Sequence, residues 1–194
     1  MMAKFEARCK DAAAWIRNGG LKDDDPTVSQ VDADVHALLA DINELGMVTM
    51  DSQSGADETE RAYVGGFMRP DVADRFVERF NCATDAMCFK LLPTNLTRRA
   101  LHDLSNQKAD PIMRSYVPVT RSSKKQPRSA TRVPLYMPAR EHAFLQTASG
   151  YAGIAAGENV VLVYCVDPVW GRKATPRRGL IQQVRLVLRQ VVSA

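Results

Sequence analysis

The chain has 194 residues, 45% of them hydrophobic and 25% charged, with 26 Lys and Arg against 22 Asp and Glu. That size suits one domain, or one domain and an appendage, whose core needs no disulfide or metal staple. No run approaches the ~20 apolar residues of a membrane span. The opening MMAKFEARCKDAAAWIRNGG is amphipathic and carries acids, unlike a secretory signal, so an intracellular protein with no membrane partner is expected.

Residues 3–18 are expected to be helical, because Phe5, Cys9, Ala12, Ala13 and Ile16 recur at helical spacing and Gly19-Gly20 ends the run. An acidic loop, LKDDDPTVSQ, follows. Its Asp23, Asp24 and Asp25 lack the alternation and terminal glutamate of a calcium loop. In 31–45, Val31, Val35, Leu38, Leu39, Ile42 and Leu45 form a helical stripe, and Gly46 stands at a left-handed C-cap.

Residues 46–67, GMVTMDSQSGADETERAYVGGF, read as strand, loop and strand. Pairing 47–51 symmetrically with 61–65 puts Asp51 opposite Arg61, Thr49 opposite Tyr63 and Met47 opposite Gly65. Val48, Met50, Ala62 and Val64 then share an apolar face, and Thr49, Asp51, Arg61 and Tyr63 a polar one, with Ser52 and Gln53 at its end. Gly65 and Gly66 either let a ligand or another chain approach the backbone or accommodate a bulge.

PDVADRFVERF opens a helix with Pro70 at N1 and buries Val72, Phe76, Val77 and Phe80. AMCFKLL, 86–92, is a strand stopped by Pro93, and 95–105 a short helix. PIMRSYVPVT reads as an edge strand, because Pro118 cannot donate to a ladder. TRSSKKQPRSAT, 120–131, is a basic loop, RVPLYMP is extended, AREHAFLQTA is helical and SGYAGIAAGEN is a glycine-rich loop. NVVLVYCVD has the continuous apolar run of a central strand buried on both sides. PVWGRKATPRRG is a second basic loop. LIQQVRLVLRQVV closes the chain as a helix burying Leu180, Val184, Val187, Leu188 and Val191.

The expected fold class is therefore α+β: a small, mainly antiparallel sheet with helices packed on one face and a basic C-terminal extension. Residues 1–107 form an α-β-β-α-β unit with 12 Lys and Arg against 18 Asp and Glu. Residues 108–194, expected to pack on the same core, carry 14 against 4, a surplus of ten positive charges. A basic half of that size attracts polyanions or an acidic protein surface, or it docks on the acidic half of its own fold.

Catalytic and metal signatures are weak. Cys9, Cys82, Cys88 and Cys165 lack zinc spacing and are expected as buried free thiols in a reducing compartment, with a disulfide or metal as the alternative. His36, His102 and His142 fall on separate helices. Ser52 lacks a nucleophile elbow, and GYAGIAAG is neither a P-loop nor a dinucleotide fingerprint. No cofactor is expected.

The pattern Gly46-x-x-Thr49-x-x-Ser52-Gln53-x-Gly55, followed by Glu60-Arg61-Ala62-Tyr63-Val64-x-Gly66-Phe67, resembles an uncharacterised domain of large DNA viruses of algae and amoebae, with similar stretches in bacterial proteins. Ser54 departs from the proline often found there. The likeness covers about residues 32–92 and implies a virus-like origin, in host cytoplasm or virion, but no activity.

Two functions are expected from these residues. The first is a non-enzymatic interaction protein whose basic loops, with Arg121, Lys124, Lys125, Arg128, Arg132, Arg172, Lys173, Arg177 and Arg178, contact nucleic acid or an assembly partner, with Tyr136 or Trp170 stacking on bases. The second is an enzyme or anion-binding module over the hairpin, using Thr49, Asp51, Ser52, Gln53, Arg61, Tyr63 and Gly66. A homo-oligomer completed at the glycine-ended strand is a third arrangement.

Overall fold

The computed structural model describes residues 2–20, 33–53, 62–95, 97, 99, 138–167 and 179–194. Its helices follow the apolar spacing of the sequence. Helix α1, Met2–Arg17, ends at Gly19, whose φ of +88° is the left-handed conformation that glycine adopts without a Cβ penalty. Helix α2, Ala33–Glu44, stops in the same way at Gly46.

Strands β1, Met47–Gln53, and β2, Tyr63–Met68, come next. Helix α3, Pro70–Ala83, starts on its proline and buries Ala73, Phe76 and Phe80, with the two rings 5.5 Å apart. Strand β3, Met87–Pro93, helix α4, Pro138–Tyr151, strand β4, Val161–Val166, and helix α5, Leu180–Val192, complete the described elements. Among the described residues no helix is long and apolar enough to cross a membrane.

The four strands form one antiparallel sheet in the order β1-β2-β4-β3. The α+β class follows directly, and β4 occupies the central position its unbroken apolar run suggests. Lying between β2 and β3, it gives both its faces to packing.

On the first face, Val161, Val163 and Cys165 join Met47, Val64 and Met68 beneath Leu39 and Ile42 of α2, Phe76 and Phe80 of α3, and Val184 and Leu188 of α5. Beyond the one helix-covered face expected, the second face is also covered over part of its length. There Val48, Phe67 and Leu162 pack with Phe5, Cys9 and Ala12 of α1 and Leu145 and Ala148 of α4. Helix α1 divides its apolar residues between the two clusters, since Ala13 and Ile16 belong to the first.

The hairpin register differs from the symmetric pairing expected. Met47 faces Met68, Val48 faces Phe67 and Thr49 faces Gly66; after a bulge, Asp51 faces Gly65, Ser52 faces Val64 and Gln53 faces Tyr63. Asp51 thus lies across from Gly65, not Arg61, and Thr49 across from Gly66, not Tyr63. The cause is packing beyond the glycines. Strand β2 continues to Met68 because Phe67 and Met68 alternate into the two clusters, and ending it at Gly65 would leave both out.

The two glycines fill structural needs. A Cβ on Gly66 would sit 2.7 Å from the Val48 carbonyl oxygen and 2.9 Å from Met47 Cγ, and one on Gly65 would lie 2.4 Å from the Tyr164 ring. Each glycine therefore makes room for a large side chain on its own side of the sheet.

The cysteine expectation needs one correction. Cys9, Cys88 and Cys165 are buried free thiols, but Cys82, in the last turn of α3, is exposed. His142 is buried, and its Nε2 makes no hydrogen bond among the described residues. The acidic loop with Asp23–Asp25, nearly all of the 95–105 helix, the 111–120 strand, RVPLYMP up to Met137, the 120–131 basic loop and the second basic loop up to residue 178 lie outside the described residues.

Candidate functional site

The register across all four strands sets two adjacent rows on the second face, the first of which touches the cluster under α1 and α4 through Tyr164. One row is Asp51, Gly65, Tyr164 and Phe89; the next is Gln53, Tyr63, Val166 and Met87. The bulge sets the first row. With Met50 as the extra residue of β1, both Met50 and Asp51 turn to this face, so a carboxylate enters it beside the tyrosines.

Side-chain geometry ties the rows together. Tyr63 donates its hydroxyl proton to Asp51 Oδ1 at 3.0 Å. The Tyr164 ring leans over Gly65, and the Phe89 ring stacks on it with centroids 6.0 Å apart and planes 20° from parallel. Burial, and then the nearby charge of Asp51, push the Tyr164 hydroxyl above its ordinary pKa, so it stays protonated and able to donate. Tyr63 and Val166 are buried, Tyr164 and Phe89 half-buried, and Met87 is 39% exposed. The result is an aromatic patch with a carboxylate and hydroxyls at one side.

The seven hairpin residues expected to form one site do not converge. Asp51, Gln53 and Tyr63 share the aromatic face. Thr49 points the other way, where its backbone N–H donates to Asn43 Oδ1 at 3.1 Å and its hydroxyl accepts from Asn43 Nδ2 at 2.7 Å. Asn43 is fully buried and also donates to the Leu39 carbonyl, so Thr49 fastens β1 to α2. Ser52 and Gly66 fall on Thr49's side of the sheet. Arg61 lies outside the described residues, as do Arg121, Lys124, Lys125, Arg128, Arg132, Arg172, Lys173, Arg177, Arg178, Tyr136 and Trp170.

Phe89 and Tyr164 were missed from sequence. Each is the lone aromatic residue of its strand, MCFKLLP and VLVYCV. The signal was their presence in strands at all; their adjacency depends on β3 lying beside β4, which no local pattern reveals.

A separate groove of about 450 Å³ runs between α3 and α5, lined by Arg75, Glu78, Arg79, Cys82 and Gln190. Its charged side chains are exposed, and Arg75 is turned back to the Asp71 carbonyl of its own helix. Among the described residues no group of three or more His, Cys, Asp or Glu side chains is placed to hold a metal ion.

Comparison with known families, curated proteins and solved structures finds no match.

Proposed function

We propose that the protein is a non-enzymatic, single-stranded nucleic-acid-binding module, with the aromatic rows of the second face as its base-stacking platform. The observation that carries the reading is the stacked Phe89–Tyr164 pair, half-buried on an antiparallel sheet face beside Asp51. Aromatic rings on a four-stranded sheet stack bases without demanding sequence, and each base–ring stack is worth roughly 1–3 kcal/mol.

The neighbouring groups suit base edges better than phosphates. Asp51 is an acceptor for exocyclic amino groups, and the tyrosine hydroxyls both donate and accept. Phosphates fall to the basic segments, which carry most of the surplus of positive charge in residues 108–194. Division of labour follows: rings and Asp51 hold bases, and Lys124, Lys125 and Arg128 hold backbone.

Fluorescence anisotropy with labelled single-stranded oligonucleotides tests this at several salt concentrations. Phe89→Ala is expected to weaken binding about tenfold or more at every salt concentration, the loss of one stack. Neutralising Lys124, Lys125 and Arg128 together is expected to flatten the salt dependence instead. Absence of binding at low salt, or binding indifferent to both changes, overturns the proposal.

A further inference from the structure

On the first face, directly behind the Phe89–Tyr164 ring pair, Cys88 and Cys165 are partners across the β3–β4 ladder, with their sulfurs 3.1 Å apart. Both are buried, and 77 positions separate them in the chain. The main chain fixes which kind of pair they make. The Cys88 N–H donates to Asn81 Oδ1, and the Cys88 carbonyl accepts from Asn81 Nδ2, each at 2.8 Å. Both groups of Cys88 thus point away from β4, which makes this a non-hydrogen-bonded antiparallel pair. In such pairs Cα atoms approach to about 4.5 Å and side chains are at their closest. That separation falls inside the range a disulfide spans.

We infer that Cys88 and Cys165 are the site of a reversible cross-strand disulfide, formed by exchange with a small disulfide oxidant such as oxidised glutathione. Among the described strands Cys88 lies on an outer one and Cys165 on a central one, so Cys88 reacts first. Its thiolate attacks one sulfur of the oxidant and releases one reduced glutathione, leaving a mixed disulfide on Cys88. The Cys165 thiolate then attacks Cys88 Sγ and expels the second. The protein gives up two protons and two electrons, and both glutathione thiols receive them.

The fold also sets the rate. Burial raises the Cys165 thiol well above its ordinary pKa, and its contact with Cys88 adds to this. The thiolate is therefore scarce while the sheet is closed, and exchange waits for β3 to open locally. Once formed, the bond constrains the unfolded chain over the long 88–165 loop and stabilises the oxidised fold.

The test uses the full chain with excess oxidised glutathione, followed by acid quench, alkylation under denaturing conditions and peptide mapping by mass spectrometry. Exposed Cys82 reports that the oxidant is active. The expected product links the Cys88 and Cys165 peptides, loses two hydrogens at that pair, leaves Cys9 alkylatable and has a higher urea midpoint that dithiothreitol reverses. Sub-denaturing urea should speed the reaction by letting β3 open. Cys88→Ala should abolish the linkage and leave Cys165 alkylatable. If Cys88 and Cys165 remain free in sub-denaturing urea after Cys82 has reacted, or if either links to another cysteine instead, the inference fails.

Discussion

The two faces of the sheet share four strands but are built on different principles. The first centres on an apolar cluster, from Met47, Val64 and Met68 to Val163 and Cys165, closed over by α2, α3, α5 and the end of α1. The second begins the same way with Val48, Phe67 and Leu162, then changes to rows holding Asp51, Tyr63, Tyr164 and Phe89. One strand, β4, supplies both textures by alternation. Fold stability and surface chemistry can therefore be assigned to opposite sides of the same backbone, and substitutions on the two sides should fail in different ways.

The largest effect is expected on the first face. Phe76→Ala removes a fully buried ring that packs on Phe80 and should cost about 3–5 kcal/mol in urea unfolding. Gly66→Ala should cost about 1–3 kcal/mol, because its Cβ meets the Val48 carbonyl, a backbone atom that cannot swing aside. Asn43→Ala strands the Thr49 N–H and should cost about 1–2 kcal/mol.

Gly65→Ala sharpens the contrast. Its clash is with a tyrosine ring, which can move, so the stability cost should stay below about 1.5 kcal/mol while oligonucleotide binding is lost. Combining it with Tyr164→Ala should show coupling in a double-mutant cycle. Equal stability losses for Gly65→Ala and Gly66→Ala would break the distinction between the faces.

A smaller effect concerns pH. Burial, the dominant influence, raises the Cys9 thiol from its ordinary 9.0 to about 12. Above pH 9 the unfolded chain loses this proton while the folded chain keeps it, so stability should fall as pH rises from about 9 toward 12. Cys9→Ala should make that alkaline decline shallower in urea titrations at fixed pH values.

Much of the fold was legible because its signals are local. The apolar run 161–166 marks a strand buried on both sides, and Gly46 and Pro70 mark a helix end and a helix start at the positions observed. The hairpin register was not legible. The glycine pair looks like a strand end until Tyr164 and Met47 are seen filling the space above it, and Tyr164 lies a hundred residues away. The bulge at Met50 leaves no mark in composition, yet it brings Asp51 to the aromatic side. Asp51 and Tyr63 were singled out from sequence, but with the wrong partners. Phe89, Tyr164 and the Cys88–Cys165 pair needed the strand order.

Ion pairs at the periphery add little to either face. Arg17 bonds to Glu44 and Asp41, and these bonds raise the guanidinium pKa and lower that of Glu44, but all three side chains are well exposed. Arg185 of α5 reaches the same Asp41 at 2.7 Å and links α5 to α2. Such contacts orient helices more than they hold them.

Ultraviolet cross-linking of the full chain to a single-stranded oligonucleotide, with the adducts mapped by mass spectrometry, addresses the central claim most directly. Adducts at Phe89 or Tyr164 are the expected result. Oligonucleotide that cross-links efficiently but only to residues of α3 or α5, over the opposite face, would contradict it.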